Sequence, residues 1–518
     1  MKPRDCSSAS VSRSHLPPFR APQIALVAII LSLLLFVLAC GSGNGSRIMT
    51  PPPQGNFSNA SLKGQYTYSL SGVEEIGATA GSASFTEGGV FTADGSGNIT
   101  NGTDDFSQNG SFGSATFTGT YTIHNDGTGT LVFTFSNGTG NLSLGVTLID
   151  KNRFYLIEAD TFASGGGSGE MQDSTAFSSV PSGTFAFRTH GNSNLQGTVA
   201  EVGAMTLSGG NVTGNADMLS AGVLSSVTLS GSIAAPGSNG RGTLSISTSG
   251  GTTSNFVYYV VNASTLRLLQ TDSAFLTLGR AEKQTSTTFS TASLSGNFAF
   301  GSQGDTNATL GGVQTVGVFT SDGNGTITAG SFDSVQDGNQ FTAVPFIGSY
   351  TMSSAGRAAV TFNPRTGVTM QEVFWMVSPT RAFFVINSAT KVEDGTIDQQ
   401  QTTAFSTSSL NGQFAFVMDG FDSASFVDRV GTLQTDGRGN LSLNELLNRF
   451  VPPNLGSITT PGVLAGTYSV ASNGRVSANI PSLSSNLVFY MVSSSFGYTL
   501  QNDSATQISG NIALQVSP

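Results

Sequence analysis

Three short glycine-rich loops are the first stretches of this chain whose residue types could do chemistry. They read Asp94-Gly-Ser-Gly-Asn-Ile99, Asp322-Gly-Asn-Gly-Thr-Ile327 and Asp436-Gly-Arg-Gly-Asn-Leu441. Calcium takes roughly six to eight oxygen ligands, whereas each loop offers one carboxylate. A phosphate cradle needs a helix or a lysine after the glycines, whereas a strand-type Ile or Leu follows here. We therefore predict hairpin turns, in which Asp, Asn and Gly adopt positive φ at low cost.

Acidic and amide residues recur further along the chain at a constant spacing. Asp160, Asp272, Ser388 and Asp503 each stand 12 residues before a glutamine. If these side chains faced a barrel interior, they could hold a ligand. We therefore predict seven candidate ligand-binding residues, namely Asp160, Asp272, Asp503, Gln172, Gln284, Gln400 and Gln515. The alternative is that each Asp caps a strand end and accepts hydrogen bonds from the backbone of the following loop.

The chain holds no recognisable catalytic set. His124 and His190 occur in single positions that do not recur, so we expect both to be surface residues, and no Gly-x-Ser-x-Gly elbow is present. Too few Cys and His remain for a zinc site, so we predict no catalytic residue, no metal and no cofactor. A carbohydrate-active or other hydrolase that uses Asp or Glu is the alternative. The recurring aromatic residues Tyr259, Trp375 and Tyr490 are interpreted as core residues rather than a sugar platform.

The first 39 residues have the composition of a secretory signal. Four basic residues precede an uncharged apolar run over residues 24–39, and Cys40 follows. The sequence Val37-Leu-Ala-Cys40-Gly resembles the lipobox of bacterial lipoproteins, which implies cleavage before Cys40 and a diacylglycerol on its sulfur. The resemblance predicts a membrane contact through that lipid and a place in the cell envelope, at the outer membrane facing the periplasm or the cell surface. An uncleaved signal anchor is the alternative.

Composition excludes one class of partner and favours one class of fold. The formal net charge is −10, so the chain lacks the basic surface that nucleic acid requires. Charged residues make up 10%, and 65 residues are Gly. Many short strands joined by tight turns suit this composition, because Gly supplies turn geometry and the abundant Thr favours strands.

Internal repetition divides the rest of the chain into four units. A Gly-x-aromatic string recurs at Gly64, Gly183, Gly296 and Gly412, with Ser-Leu-x before the glycine in all but the second copy. A Gly-Thr-Tyr string or its variant follows, and a Gly precedes each recurring glutamine by five residues. Each unit holds about eight strand-length patterns. We predict an all-β protein of four tandem domains, each an eight-stranded up-and-down barrel like a lipocalin, with β-sandwiches as the alternative. The predicted segments are 1–39 (signal peptide), 40–60 (flexible linker), 61–178, 179–292, 293–408 and 409–518.

The repeats resemble tandem β-repeats of predicted bacterial lipoproteins and secreted proteins that carry Asp-Gly-x-Gly-Asn-Ile-Thr and Gly-Thr-Tyr strings. The resemblance implies no activity. Together with the lipobox, the repeats predict a non-enzymatic, lipid-anchored array with an adhesive, surface or ligand-binding role. Its predicted partners are a polysaccharide, a small apolar ligand or another envelope protein.

Overall fold

The computed structural model describes residues 55–75, 82–108, 110–193, 197–306, 311–364, 369–422, 425–451, 454–483 and 485–518. The predicted signal peptide and Cys40 lie outside the described residues. Those described belong to one compact unit, Gln54–Pro518, and their strands form four successive closed antiparallel barrels. The prediction of four tandem eight-stranded barrels is confirmed, and the β-sandwich alternative is wrong.

The first two barrels each contain eight strands in simple up-and-down order. Barrel 1 consists of β1 (Lys63–Glu75), β2 (Ser82–Asp94), β3 (Asn98–Gln108), β4 (Ser111–Ile123), β5 (Thr128–Phe135), β6 (Asn141–Asp150), β7 (Arg153–Glu158) and β8 (Ala163–Met171). Barrel 2 consists of β9 (Gly183–Ser193), β10 (Gly197–Ser208), β11 (Asn211–Ser220), β12 (Val223–Ile233), β13 (Arg241–Thr248), β14 (Thr253–Asn262), β15 (Thr265–Gln270) and β16 (Phe275–Lys283).

The last two barrels repeat this order, and the fourth strand of barrel 4 is interrupted. Barrel 3 consists of β17 (Ser295–Thr306), β18 (Gly312–Asp322), β19 (Thr326–Gln336), β20 (Asn339–Met352), β21 (Arg357–Pro364), β22 (Met370–Ser378), β23 (Arg381–Asn387) and β24 (Lys391–Gln399). Barrel 4 consists of β25 (Asn411–Asp422), β26 (Phe426–Asp436), β27 (Asn440–Val451), β28 (Asn454–Thr459), β29 (Leu464–Val470), β30 (Arg475–Ile480), β31 (Ser485–Ser493), β32 (Phe496–Gln501) and β33 (Thr506–Leu514). Both β28 and β29 pair with β27, so together they occupy one position in the barrel.

The barrel interiors are filled with side chains. Successive residues of a strand point to opposite faces, so Tyr66 and Tyr68 face the interior of barrel 1. Aromatic rings fill that interior in close contact, and Phe117 stacks on Phe133 with 4.2 Å between ring centroids. Burying each such ring contributes about 1.5–3 kcal/mol. Because the interiors are filled, the barrels contact one another through the outward faces of their strands.

A phenylalanine and a short 3-10 turn close one end of each barrel. The turns are Asn59–Ser61, Ser174–Ser178, Thr291–Ser293 and Thr407–Ser409, with a further turn at Pro481–Leu483 in barrel 4. Phe57, which falls in the segment predicted as linker, is 3% exposed and packs in the core of barrel 1. Tyr121, of the Gly-Thr-Tyr string, donates a hydrogen bond of 2.8 Å from Oη to the carbonyl of Leu62 beside the first turn. This tyrosine therefore ties the closing turn to β4.

The four barrels pack in a closed cycle, each against two neighbours. Four apolar clusters between barrels join barrel 1 to 2, 2 to 3, 3 to 4, and 4 back to 1. Barrel 4 contacts barrel 1 through Val417 and Val430, which meet Ile149, Tyr155 and Ile157. The tandem repeats thus form a ring, and the first and last barrels of the chain are neighbours in space.

Candidate functional site

The four recurring glutamines join each barrel to the next one in the ring. Each side-chain Nε2 donates to a backbone carbonyl of the neighbouring barrel. The pairs are Gln172 to Val260 (2.7 Å), Gln284 to Met376 (2.7 Å), Gln400 to Met491 (2.8 Å) and Gln515 to Leu148 (2.6 Å). These contacts give the glutamines a structural role between barrels. Their predicted role in ligand binding stays a prediction.

Glycine recurs in the turn that receives each glutamine because nothing larger fits there. Gly240 has a φ of +78°, and a Cβ on it would lie 2.6 Å from Nε2 of Gln172 and 2.6 Å from the ring of Phe177. Equivalent positions are Gly127, Gly356 and Gly474. A positive φ and a crowded Cβ both exclude other residues. The glutamine side chain of one barrel and the glycine turn of the next therefore form a single contact. We call the contacts of Gln172, Gln284, Gln400 and Gln515 with these turns the glutamine clasp.

The recurring acidic residues lie in the turns between the seventh and eighth strands. The carboxylate of Asp160 accepts from the backbone N–H of Phe162 at 2.9 Å, and that of Asp503 accepts from Ala505 at 3.0 Å. Asp272 accepts from the backbone and side chain of Asn255 at 2.6 and 2.8 Å. The bonds of Asp160 and Asp503 match the capping alternative, whereas Asp272 bonds to the neighbouring strand β14 instead of the following loop. The structure does not bring the three residues together, because each belongs to a different barrel.

Three of the four interfaces between barrels contain a charged contact that the sequence repeats did not indicate. Asp217 on the outside of β11 accepts two hydrogen bonds from Arg357 of barrel 3, both 2.7 Å, and one from the indole Nε1 of Trp375 at 2.8 Å. These donors, together with Ser226, hold the pKa of Asp217 below its usual value against the effect of burial. The same arrangement joins Asp105 to Arg241 and Tyr259, and Asp333 to Arg475 and Tyr490. Tyr259, Trp375 and Tyr490 are thus buried, as expected, but between barrels.

The ring closes between barrels 4 and 1 by different contacts. The Arg241 position is occupied by Thr128 in barrel 1, which leaves this interface without the charged contact. Leu446 of β27 packs against Gly145 of β6 instead, so closely that a Cβ on Gly145 would lie 2.2 Å from Cδ2 of Leu446. The side-chain amide of Asn448 donates to the carbonyls of Glu158 and Ala163 at 2.9 and 2.8 Å. Apolar packing and buried hydrogen bonds therefore close the ring.

A chamber of about 370 Å³ lies at the centre of the ring, and all four barrels line it. Its walls are the outward faces of the first, seventh and eighth strands of the barrels, with Val316 added from β18. Barrel 1 contributes hydroxyl groups, barrel 2 contributes most of the charge, and barrels 3 and 4 contribute aromatic rings. The lining includes Ser69, Ser71, Tyr155, Ser168, Arg188, His190, Arg267, Arg280, Ser302, Gln303, Arg381, Phe383, Asp419, Phe496, Tyr498, Ser509 and Asn511.

The arginines of the chamber are held by carboxylates behind them. Arg280 bonds to Glu170 at 2.5 Å and to Glu282 at 2.6 Å, and Arg381 bonds to Glu282 at 2.7 Å and to Asp398. The pair of Arg280 and Glu170 joins barrel 2 to barrel 1, and the pair of Arg381 and Glu282 joins barrel 3 to barrel 2. Arg280 and Arg381 keep 32% and 29% of their side-chain surface exposed. The carboxylates thus orient the guanidinium groups and leave part of each facing the chamber.

Arg188 and His190 share the buried carboxylate of Asp394 from barrel 3. Arg188 donates through Nε, and Nδ1 of His190 lies 2.5 Å from the other carboxylate oxygen. Burial lowers and Asp394 raises the pKa of His190, and the net shift is upward. The expectation that His190 is a surface residue is therefore wrong: it lies within β9 at the chamber wall, because its partner comes from the neighbouring barrel. His124, by contrast, is exposed beside a turn.

Asp419 faces the chamber from barrel 4 with no hydrogen bond to another described residue. Burial raises the pKa of Asp419 to about 6, although His190 and Arg188 oppose the shift. Burial also raises the pKa of Glu170, but Arg280 and Arg267 outweigh it and hold that pKa well below its usual value. The chamber wall therefore carries permanent cations together with one carboxyl that titrates near pH 6.

The glycine-rich loops of the opening prediction are hairpin turns. In the first, the Asp94 carboxylate accepts from the backbone N–H of Ser96 and Asn98 at 2.6 and 3.0 Å, and Gly95 and Gly97 have positive φ. Among the described residues, no group of three His, Cys, Asp or Glu side chains is placed to hold a metal ion. In the same part of the chain, no helix has the length and apolarity to cross a membrane.

Sequence reasoning missed Arg188, Arg280, Arg381 and Asp419, because their roles depend on partners in other barrels. One signal was available. The alternating pair Arg280 and Glu282 immediately follows the recurring Gly279, in a chain that is only 10% charged. As for similarity to known proteins, no family model matches the chain, and no curated protein matches it.

Proposed function

We propose that this protein is a lipid-anchored component of the cell envelope that binds a small molecule in its central chamber without catalysing a reaction. The observation that supports the proposal is the chamber of about 370 Å³, which is lined by all four barrels. Its volume falls in the range of small-molecule sites, roughly 300–1,000 Å³. Because the barrel interiors are packed, the space between barrels is the best candidate for a ligand.

Binding can be tested by native mass spectrometry after incubation with small-molecule extracts of bacterial envelopes. We expect the full chain to retain a small molecule, and we expect Thr396→Trp, which fills the chamber from β24, to lose it. Thr351→Trp places the same side chain on the exposed face of β20 and serves as the control. A molecule retained equally by both variants, or by neither the variants nor the wild type, would count against the chamber as the site.

The lipid anchor is proposed from the lipobox resemblance at Cys40. Metabolic labelling with palmitate should label the wild-type chain and leave Cys40→Ala unlabelled. Equal label in both chains would contradict the anchor and leave the chamber proposal untouched.

The alternative of a hydrolase gains no support from the residues that suggested it. Asp160, Asp272 and Asp503 lie in three separate barrels, and each accepts hydrogen bonds from its own barrel. Paired carboxylates for glycoside cleavage must stand roughly 5–10 Å apart across one bond. A non-enzymatic role therefore remains the proposal.

A further inference from the structure

Arg188 supplies charged hydrogen-bond donors to the chamber that have no partner among the described residues. Its Nε contacts Asp394, while neither terminal nitrogen makes a hydrogen bond to another described residue. A quarter of its side chain is exposed, toward the chamber that it lines. A guanidinium held at one edge presents its other edge as a fork of N–H groups, which matches the oxygens of a carboxylate or phosphate.

The rest of the wall suits a hydroxyl-rich molecule. Ser71, Gln303 and Asn511 present hydroxyl and amide groups from three barrels, and these can donate to and accept from sugar hydroxyls. Tyr498 and Phe496 add aromatic surface, with their rings 5.4 Å apart in an edge-to-face contact. Polar groups that fix orientation beside an apolar ring face are the usual composition of a small-molecule site.

We propose that the chamber binds a small acidic sugar, and that Arg188 binds the carboxylate or phosphate of that sugar. Arg280 and Arg381 lie next to Arg188 in the chamber wall. The inference rests on the proposed function and names the class of ligand. An anion bound here gains charge-assisted hydrogen bonds from Arg188. A neutral sugar could accept from the terminal nitrogens of Arg188 only through hydroxyl oxygens, which form weaker hydrogen bonds than an anion does.

Acid should strengthen this binding, because Asp419 competes with an anionic ligand. The groups that act on Asp419 are Arg188 and His190 of β9, and Asp419 in turn acts on the buried Asp428 of β26. His190 is influenced by Asp394 of β24, Arg188 and Asp305 of β17. Below pH 6 Asp419 is mainly neutral and His190 mainly charged, so the chamber becomes more positive. Above pH 7 the Asp419 carboxylate repels the ligand.

Calorimetric titration of the full chain with glucuronate, glucose 6-phosphate and glucose tests the inference. We expect both acidic sugars to bind at least about tenfold more tightly than glucose at pH 5.5. Glucuronate, whose charge is the same at both pH values, should bind more weakly at pH 7.5. Arg188→Gln should weaken the acidic sugars about tenfold at both pH values. Asp419→Asn should bind glucuronate at pH 7.5 nearly as the wild type does at pH 5.5. Arg438→Gln, in an exposed turn of barrel 4, is the control and should bind as the wild type.

Equal affinity for glucose and glucuronate, or wild-type binding by Arg188→Gln with its fold intact by circular dichroism, would overturn the inference. If the three sugars fail to bind but a different molecule is retained by the wild type and lost in Thr396→Trp, the inference falls and the proposed function stands. If nothing is retained in the chamber, both fall.

Discussion

Glu87 and Asp104 are buried inside barrel 1, where ionisation of a single carboxyl group affects the stability of the fold. Both are 4% exposed and share a hydrogen bond, and Tyr68 donates to Asp104 at 2.6 Å. Burial raises the pKa of Asp104 to about 7 and raises the pKa of Glu87 and Glu158 well above the usual value. The interior of this barrel therefore favours protonated carboxyl groups.

The raised pKa values predict that barrel 1 loses stability as the pH rises. An acid whose pKa is higher in the folded state stabilises the fold fully below its unfolded pKa, near 4, and loses that contribution as the pH rises through its folded pKa. The folded pKa is about 7 for Asp104 and well above the usual value for Glu87. We expect Glu87→Gln to be more stable than the wild type at pH 8 by about 1–3 kcal/mol, and the difference to shrink toward pH 4. Urea unfolding at pH 4, 6 and 8 measures it.

Glu75→Gln is the matched control, because Glu75 lies at the end of β1, the strand next to that of Glu87, and outside this group. Glu75→Gln should unfold within about 0.5 kcal/mol of the wild type. A Glu87→Gln chain that unfolds in parallel with the wild type at every pH would contradict the account of barrel 1.

At the scale of the elements, the glutamine clasp couples the end of one barrel to the turn of the next. Gln284 follows β16, and its Nε2 donates to Met376 at 2.7 Å and to Ala355 at 3.2 Å. The backbone adds a parallel bond of 3.0 Å from Thr285 to Val377. Because all four barrels carry the clasp, the recurrence of Gln at one spacing reflects a contact that each copy must make.

We expect Gln284→Glu to destabilise the chain at neutral pH by about 2–4 kcal/mol, since an ionised carboxylate would face two carbonyl oxygens and can donate to neither. Gln284→Ala should cost less, about 1–2 kcal/mol. The pKa of the introduced Glu would be raised by this environment, so part of the stability should return below pH 5. Thermal unfolding at pH 4.5 and 7.5 gives both numbers.

Gln371→Glu provides the comparison, because Gln371 is exposed on β22 of the same barrel. It should unfold within about 0.5 kcal/mol of the wild type. Equal effects of the two Gln→Glu changes would mean that the clasp does not hold the barrels together.

At the scale of the whole molecule, closure of the ring brings together residues far apart in the chain. The interface between barrels 4 and 1 joins Gln515 to Leu148 and Leu446 to Gly145, and it completes the wall of the chamber. Asp419 of barrel 4 packs against the backbone of Gly166 in barrel 1. A Cβ added to Gly166 would lie 3.0 Å from the Cβ of Asp419. Without this interface the chamber would be open on one side.

We therefore expect Gly145→Glu to open the ring while leaving the barrels folded. The new side chain would overlap Leu446 and place an unpaired charge in an apolar contact, at a cost of a few kcal/mol. Small-angle X-ray scattering should show a larger radius of gyration, with far-ultraviolet circular dichroism unchanged. Gly113→Glu is the control, because no atom lies within 4 Å of a Cβ on Gly113. An unchanged scattering curve for Gly145→Glu would refute the closing role of this contact.

The local fold could be predicted from the sequence to a large extent. Alternation of apolar and polar residues and the Asp-Gly and Asn-Gly turns act over a few residues, so strand number and barrel type follow from short stretches such as the one from Asp94 to Ile99. The spacing of Gln172 and its three counterparts also located a shared contact. It could not show that each glutamine reaches the next barrel rather than a ligand.

The arrangement of the barrels, and with it the candidate site, was decided by tertiary structure. Arg357 meets Asp217 140 residues away, and Arg280 meets Glu170 110 residues away, so no local pattern pairs them. All four copies share the clasp because every barrel makes that contact. The residue type differs between copies at the equivalent position of the chamber wall, which holds Ser69, Arg188, Gly301 and Val417. By itself the sequence determined four closed barrels and their turns, since these depend on neighbouring residues. Only packing of outward faces between distant strands decided that the barrels form a ring around a chamber lined with arginines.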